Sequence, residues 1–348
     1  MKRVNFKTLF LKKKFPLKIS RGTFSGAENL FVSVSDDQNV GWGEMCPGVT
    51  EGAETAEVGR NSLNEFLKYI QHVPDSILSA YFKAVDFGVP PCAIAALDMA
   101  LWDLRAKEAN MSLYRLLGLG LPTVSTSVTI GIMSAEQVKD RIIYLGENGM
   151  LDNLKVKLGS PDGLDHDKEM FSQLFELLKN SPTKLRVDAN GGWTVKEAKE
   201  MLIWLNDRDV DYVEQPLAKG QEENLKFLFK DRPLPIFVDE SCRNGTDIPS
   251  LAQHVDGVNL KLMKCGGITE ALRMVGVARA HKLKTMIGCM GESSISISAG
   301  AAIGSLFDYI DLDSHLNLDP NPTKGASLVN GIVTPKNIPG HGGSLLYA

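Results

Sequence analysis

Three acidic residues, Asp188, Glu214 and Asp239, follow one another at intervals of 26 and 25 positions, and each directly follows a valine at the end of a short apolar run. A carboxylate carried that deep by apolar neighbours is costly to leave unpaired, and one shared cation would remove the cost. Three carboxylates with positions left open for water or substrate oxygen suit a hard ion: Mg²⁺ first, Mn²⁺ as a substitute, and not zinc, which prefers His and Cys. Two lysines lie just upstream in Leu154-Lys155-Val156-Lys157-Leu158, where a period of two puts both on one face. A third, Lys261, stands inside Asn259-Leu260-Lys261-Leu262-Met263-Lys264, and Lys264, at the turn before Cys265-Gly266-Gly267, reads as a helix-capping or surface charge. A lysine beside another lysine and a dication should have its pKa lowered toward neutrality, which makes it a usable base. Lys157 and Lys261 are the expected bases, with Lys155 supporting charge. Two bases on opposite sides of a carbon next to a metal-held carboxylate could remove and return its proton, which is racemisation or epimerisation.

Such geometry needs a scaffold that brings distant strand ends together. From about residue 124, eight β-rich runs alternate with helical patterns, as in repeated βαβ units on a parallel sheet. The runs are Ser125 to Ile132, Leu154 to Leu158, Leu185 to Asn190, Tyr212 to Pro216, Ile236 to Ser241, Val258 to Lys264, Thr285 to Met290 and Tyr309 to Ser314. Amphipathic stretches such as Ala135 to Gly149, Val195 to Asp207 and Thr269 to His281 separate them. The fold class expected is α/β, a modified (β/α)8 barrel of the TIM type spanning 121–320, whose active site gathers at the C-terminal strand ends. Lysines on the second and sixth strands then face each other across the acids of the third, fourth and fifth. Residues 1–120 read differently, with β-like segments Val4 to Phe10, Asn29 to Ser35 and Val40 to Glu44 before helices around Glu54 to Gln71 and Cys92 to Glu108, an α+β domain. The Gly- and Pro-rich segment 321–348 is too long for a last barrel helix and is expected to return to that first domain.

Composition narrows the partners. A net charge of −4 with interspersed signs offers no basic field for nucleic acid, and the one basic run, Lys12 to Lys14, alternates with apolar residues as a charged edge strand would. No stretch reaches the ~18 apolar residues of a membrane span and the N-terminus lacks a signal-peptide core, so a cytoplasmic location is expected. Five cysteines without a C-x-x-C pair indicate neither disulfides nor a zinc cage.

These residues resemble the enolase superfamily, specifically its muconate-lactonising subgroup, in which K-x-K, three strand-end acids and a strand-six lysine recur with this spacing. Ala96-Leu97-Asp98-Met99-Ala100-Leu101-Trp102-Asp103-Leu104 looks like the helical signature of its first domain, and Gly41-Trp42-Gly43-Glu44 like the turn before its specificity loop. The resemblance implies that residues 1–120 cap the barrel and that the chain self-associates as a homo-oligomer. The eighth strand ends in Asp311-Leu312-Asp313-Ser314, and two carboxylates not needed by the metal should attract an ammonium group. This D-x-D is similar to that of the dipeptide epimerases, where it binds the substrate's terminal amine. Ile19-Ser20-Arg21-Gly22-Thr23 resembles the loop of the Ala-Glu epimerases, which implies that Arg21 meets a glutamate side chain, although Phe24 departs from that pattern. The resemblance thus implies epimerisation at the C-terminal residue of a dipeptide of the L-Ala-L-Glu/L-Ala-D-Glu type. Thr129 and Glu292 are further substrate-binding candidates, and His315 receives only a peripheral role. The alternatives are a muconate-type cycloisomerase or o-succinylbenzoate synthase, whose substrates carry no amine, and, more remotely, a non-catalytic metal-binding barrel.

Overall fold

In the computed structural model, which describes residues 2–347, alternating burial shapes the first element. Strand β1 (Arg3–Ile19) is half-buried at every second position and pairs antiparallel with β2 (Gly22–Ser35), which pairs in turn with β3 (Val40–Met45). Helices α1 (Ala56–Ile70), α2 (Ile77–Phe87) and α3 (Pro91–Glu108) follow; Thr55 and Ser76 cap the first two through their side-chain oxygens. The sheet lies directly on α3. A Cβ at Gly43 would stand 1.9 Å from the Ala96 carbonyl oxygen and one at Gly41 2.1 Å from that of Ala100, so only glycine permits this approach. The resemblance-bearing glycines and alanines are therefore two sides of one contact.

After the short α4 (Leu113–Leu116), eight parallel strands follow in sequential order: β4 (Val128–Ile130), β5 (Asn153–Lys157), β6 (Lys184–Asp188), β7 (Val210–Glu214), β8 (Ile236–Val238), β9 (Gly257–Lys261), β10 (Lys284–Gly288) and β11 (Tyr309–Asp311). The ring closes where the Ser127 N–H donates to the Ile310 carbonyl at 2.9 Å. Between the strands run α5 (Ala135–Glu147), α6 (Leu164–Leu178), α7 (Val195–Asn206), the one-turn α8 (Lys226–Phe229) and α9 (Ile248–Leu251), α10 (Leu262–Cys265) with α11 (Ile268–Ala280), and α12 (Ser294–Ala302). Capping boxes at Ser134/Gln137 and Thr194/Glu197 start α5 and α7. The barrel differs from a regular (β/α)8 one in that, among the described residues, no α-helix follows β11, only a single 3-10 turn at Ser314–Asn317. The chain instead forms two small antiparallel pairs, β12 (Thr323–Lys324) with β15 (Ser344–Leu345) and β13 (Ser327–Val329) with β14 (Ile332–Thr334).

That final segment reaches back across the molecule. Gly340 exchanges backbone hydrogen bonds with Met111 and Leu113, His341 donates its N–H to Asp103 in α3, and Leu345 packs with Leu11, Phe31 and Ile295. Among the described residues, no helix is long and apolar enough to cross a membrane.

Candidate active site

Strand register assembles the site. Lys157 stands opposite Asp188, Asp188 opposite Glu214, and Gly288 opposite both Lys261 and Asp311, so these residues emerge on one rim of the barrel. Asp188 and Glu214 are the last residues of β6 and β7, and Asp239 follows β8; all three are fully buried, with carboxylate oxygens within 4.8 Å of one another. The backbone then turns sharply. Asn190 and Gln215 adopt left-handed φ values of 44° and 39°, and the Gln215 side chain accepts from the Asp239 N–H at 2.8 Å while donating to the Leu217 carbonyl at 2.7 Å. Burial pushes the Glu214 carboxyl up to about 7, with Lys155 opposing that rise and Asp188 and Asp239 adding to it. A donor set of three buried carboxylates, flanked by partnerless buried oxygens on Asn190, Glu240 and Asn259, fits a hard divalent cation and not zinc.

The lysines meet these acids directly. Lys157 Nζ lies 2.5 Å from Asp188 and Lys261 Nζ 2.7 Å from Asp239, while Lys155 bridges Glu214, at 2.6 Å, and Asp311. Lys264 corrects the expectation of a capping or surface charge. It is 1% exposed, pairs with the other oxygen of Asp239 at 2.5 Å, and donates to the carbonyls of Asp239, Cys242 and Asn259. Strand β9 ends at Lys261, three residues earlier than the apolar run implied, and the single turn of α10 folds Lys264 back beneath Asp239. The lowering expected of a lysine beside a dication depends on positive charge in the triad, because the acids alone act on Lys155 and Lys261 in the opposite direction. Burial pushes each down, but the facing acids, Asp311 and Glu214 for Lys155 and Asp239 and Glu214 for Lys261, reverse it and hold both well above the ordinary range.

Opposite the three acids, Asp311 and Asp313 are brought together. The Thr129 N–H donates to Asp313 at 2.7 Å, burial and Asp311 raise the Asp313 carboxyl, and Asp311 Oδ1 is buried without a hydrogen-bond partner. Arg21, at the tip of the β1–β2 hairpin, pairs with Glu240 at 2.6 Å and donates to the Asn190 carbonyl at 3.0 Å, which docks the hairpin on the loops after β6 and β8. Glu240 was legible only as the second acid of the Asp239-Glu240 doublet. Glu292 accepts from the Met290 N–H at 2.8 Å, and burial, with Glu44 and Glu51 adding to it, pushes its carboxyl up to about 8. His315 is buried and held neutral, its pKa pushed down to about 4.

Lysines and carboxylates gathered at the C-terminal rim of a capped parallel barrel mark the molecule as a barrel enzyme. Residues 4–118 match the mandelate racemase / muconate lactonizing enzyme N-terminal domain and residues 134–346 the enolase C-terminal domain-like family. The chain belongs to the enolase superfamily, in its mandelate racemase and muconate lactonizing enzyme branch. It is 57% identical to a hydrophobic dipeptide epimerase of Roseobacter litoralis, over 99% of this chain and all of that one. A second hydrophobic dipeptide epimerase, from a Flavobacteria bacterium, is 56% identical over 98% of this chain and 97% of its own. Among solved structures, a dipeptide epimerase of Enterococcus faecalis complexed with Mg and the dipeptide L-Leu-L-Tyr superposes with a TM-score of 0.91 at 30% identity, covering 98% of this chain and 99% of that one.

Proposed function

We propose that this enzyme is an Mg²⁺-dependent dipeptide epimerase that inverts the α-carbon of the C-terminal residue of a dipeptide by proton transfer between two lysines. The observation that carries the reading is the placement of Lys157 on β5 and Lys261 on β9, each paired with a different acid of the Asp188, Glu214 and Asp239 triad. Asp188, Glu214 and Asp239 would hold a divalent cation, which would supply positive charge that stabilises a substrate carboxylate as negative charge builds on it and would offset the acids facing Lys261. Lys157, as the amine, takes the α-proton from one face, and the Lys261 ammonium returns a proton from the other. The product has the opposite configuration, the two lysines have exchanged protonation states, and solvent resets them. The reverse direction uses the same groups in opposite roles. Lys155, between Glu214 and Asp311, adds positive charge on the carboxylate side.

Asp311 and Asp313 support a dipeptide rather than a free acid, because a carboxylate pair, Asp311 buried and Asp313 partly so, with Asp311 Oδ1 left over matches a terminal ammonium. Arg21 supports an apolar second residue. Its charge is already matched by Glu240, so a substrate glutamate would have to break that pair, and the two relatives above 50% identity are named hydrophobic dipeptide epimerases. This departs from the Ala-Glu preference that the hairpin sequence suggested. Assaying L-Ala-L-Leu and L-Ala-L-Glu side by side with Mg²⁺ tests both parts. The leucine dipeptide should epimerise with a kcat/KM about tenfold or more above the glutamate one. Preference for glutamate would overturn the side-chain assignment, and no epimerisation across a dipeptide library would overturn the function.

A further inference from the structure

The two bases are braced differently. Lys261 is followed at once by α10, whose Lys264 shares Asp239 with it. Lys157 is followed by an irregular loop, and that loop is held by one buried carboxylate. Asp167, in the first turn of α6, is fully buried and accepts hydrogen bonds from the peptide N–H groups of Gly159 at 2.8 Å and Ser160 at 3.0 Å. It also accepts from the indole N–H of Trp193 at 3.3 Å, which belongs to the loop after β6. The two loops touch backbone to backbone: Gly159 has φ +77°, and a Cβ there would stand 2.5 Å from the Ala189 carbonyl oxygen and 3.0 Å from the Gly192 Cα. One side chain thus ties the exit of the strand carrying Lys157 to the exit of the strand carrying Asp188, its ion-pair partner.

We infer that Asp167 is a positioning residue for Lys157 and not for Lys261, fixing the end of β5 so that the Lys157 side chain stays on its own face of the substrate α-carbon. The inference rests on the two-lysine reading above. Asp167 touches neither Lys157 nor substrate, so it acts through the Leu158-Gly159-Ser160 backbone. Asparagine at this position keeps the shape but has one carbonyl oxygen, which cannot accept from Gly159 and Ser160 in their present directions as two carboxylate oxygens do. The β5 exit would shift while the β9 side of the site stays in place. A general weakening of the fold would slow both bases; loss of this anchor should slow one.

The test is α-proton exchange in D₂O with Mg²⁺, followed separately from each epimer of one dipeptide. Lys157→Ala identifies which epimer Lys157 serves, since that epimer loses exchange. In Asp167→Asn that same epimer should exchange at least about tenfold more slowly than in the parent, and the epimer served by Lys261 should stay within about twofold. Equal slowing of both epimers, or slowing of neither, overturns the inference. Should Asp167→Asn not fold, Trp193→Phe removes one donor from the same carboxylate and must slow the same epimer selectively; symmetric exchange there overturns it equally. A parent enzyme that exchanges no dipeptide at all defeats the epimerase reading and this inference with it, whereas a parent that exchanges both epimers alongside a symmetric variant defeats this inference alone.

Discussion

Four lysines pair with four carboxylates, Asp188, Glu214, Asp239 and Asp311, at the rim of this barrel, and that pairing decides what each can do. Lys264 carries no expected role in proton transfer, yet it satisfies Asp239 and three carbonyl oxygens at once. Lys264→Met should therefore cost about 3–5 kcal/mol of stability, because the removed cation leaves buried acceptors behind. Urea unfolding checks this, and a loss below about 1 kcal/mol would show that the pair is dispensable. Glu292 gives a pH-dependent counterpart. Its folded pKa of about 8 lies above the ordinary 4.5, so the folded state prefers the neutral acid. Its effect on stability is neutral below about pH 4.5 and becomes unfavourable as pH rises toward 8. Glu292→Gln should remove that dependence, narrowing the difference in unfolding free energy between pH 5 and pH 8 by about 2–4 kcal/mol. At this scale the three acids, Lys157 and Lys261 were legible because each breaks an apolar run at a strand end, and Lys155 because it shares a strand face with Lys157. The role of Lys264 was not, because its burial depends on a one-turn helix too short to leave a periodic trace, and the Arg21–Glu240 pair joins residues 219 positions apart in sequence.

The elements work by holding one another's ends. Helix α12 starts beside the loop carrying Glu292, and its first turn is capped by Glu44 of β3, from the antiparallel sheet. Glu44 accepts from the Ser293 N–H at 2.9 Å and hydroxyl at 2.7 Å and from the Ser296 N–H at 3.2 Å, while Asn29 supplies a further donor at 2.8 Å. Replacing Glu44 by Ala should lower stability by about 2–4 kcal/mol, since several buried donors lose their acceptor together, and thermal unfolding will report it. The βα alternation was readable because each of the eight barrel strands overlaps one of the eight β-rich runs. Strand limits were not: Val258 to Lys264 reads as one strand, but a helical turn takes over after Lys261, and Ser125 to Ile132 contracts to Val128–Ile130. Helix α2 escaped the reading because its outward face keeps Leu78, Phe82 and Val85, which blurs the polar side that marks an amphipathic helix.

For the molecule as a whole, the last segment acts as a strap joining the antiparallel sheet to the barrel. Leu345 is 5% exposed and completes a small cluster with Leu11, Phe31, Ile295 and Leu318, drawn from the sheet, α12 and the turn after β11. Leu345→Ala should cost about 2–4 kcal/mol, measured by denaturant unfolding, because the three units meeting there cannot all collapse into the space. The return of this segment was expected from its length and its lack of helical pattern. Its partners were not readable, since Gly340 meets Met111 and Leu113 backbone to backbone, and His341 offers the Asp103 carboxylate only the peptide N–H that nearly every residue has.

In the proposed mechanism, two lysines on opposite strands serve opposite faces of one carbon. Its most direct test follows loss of the α-proton signal of a dipeptide in D₂O with Mg²⁺, for the parent enzyme and for Lys157→Ala and Lys261→Ala. Each variant should lose epimerisation by about 10³-fold or more, yet each should still exchange the α-proton of one epimer with retention, the two variants favouring opposite epimers. Exchange of the same epimer in both variants, or undiminished epimerisation in either, would contradict the account.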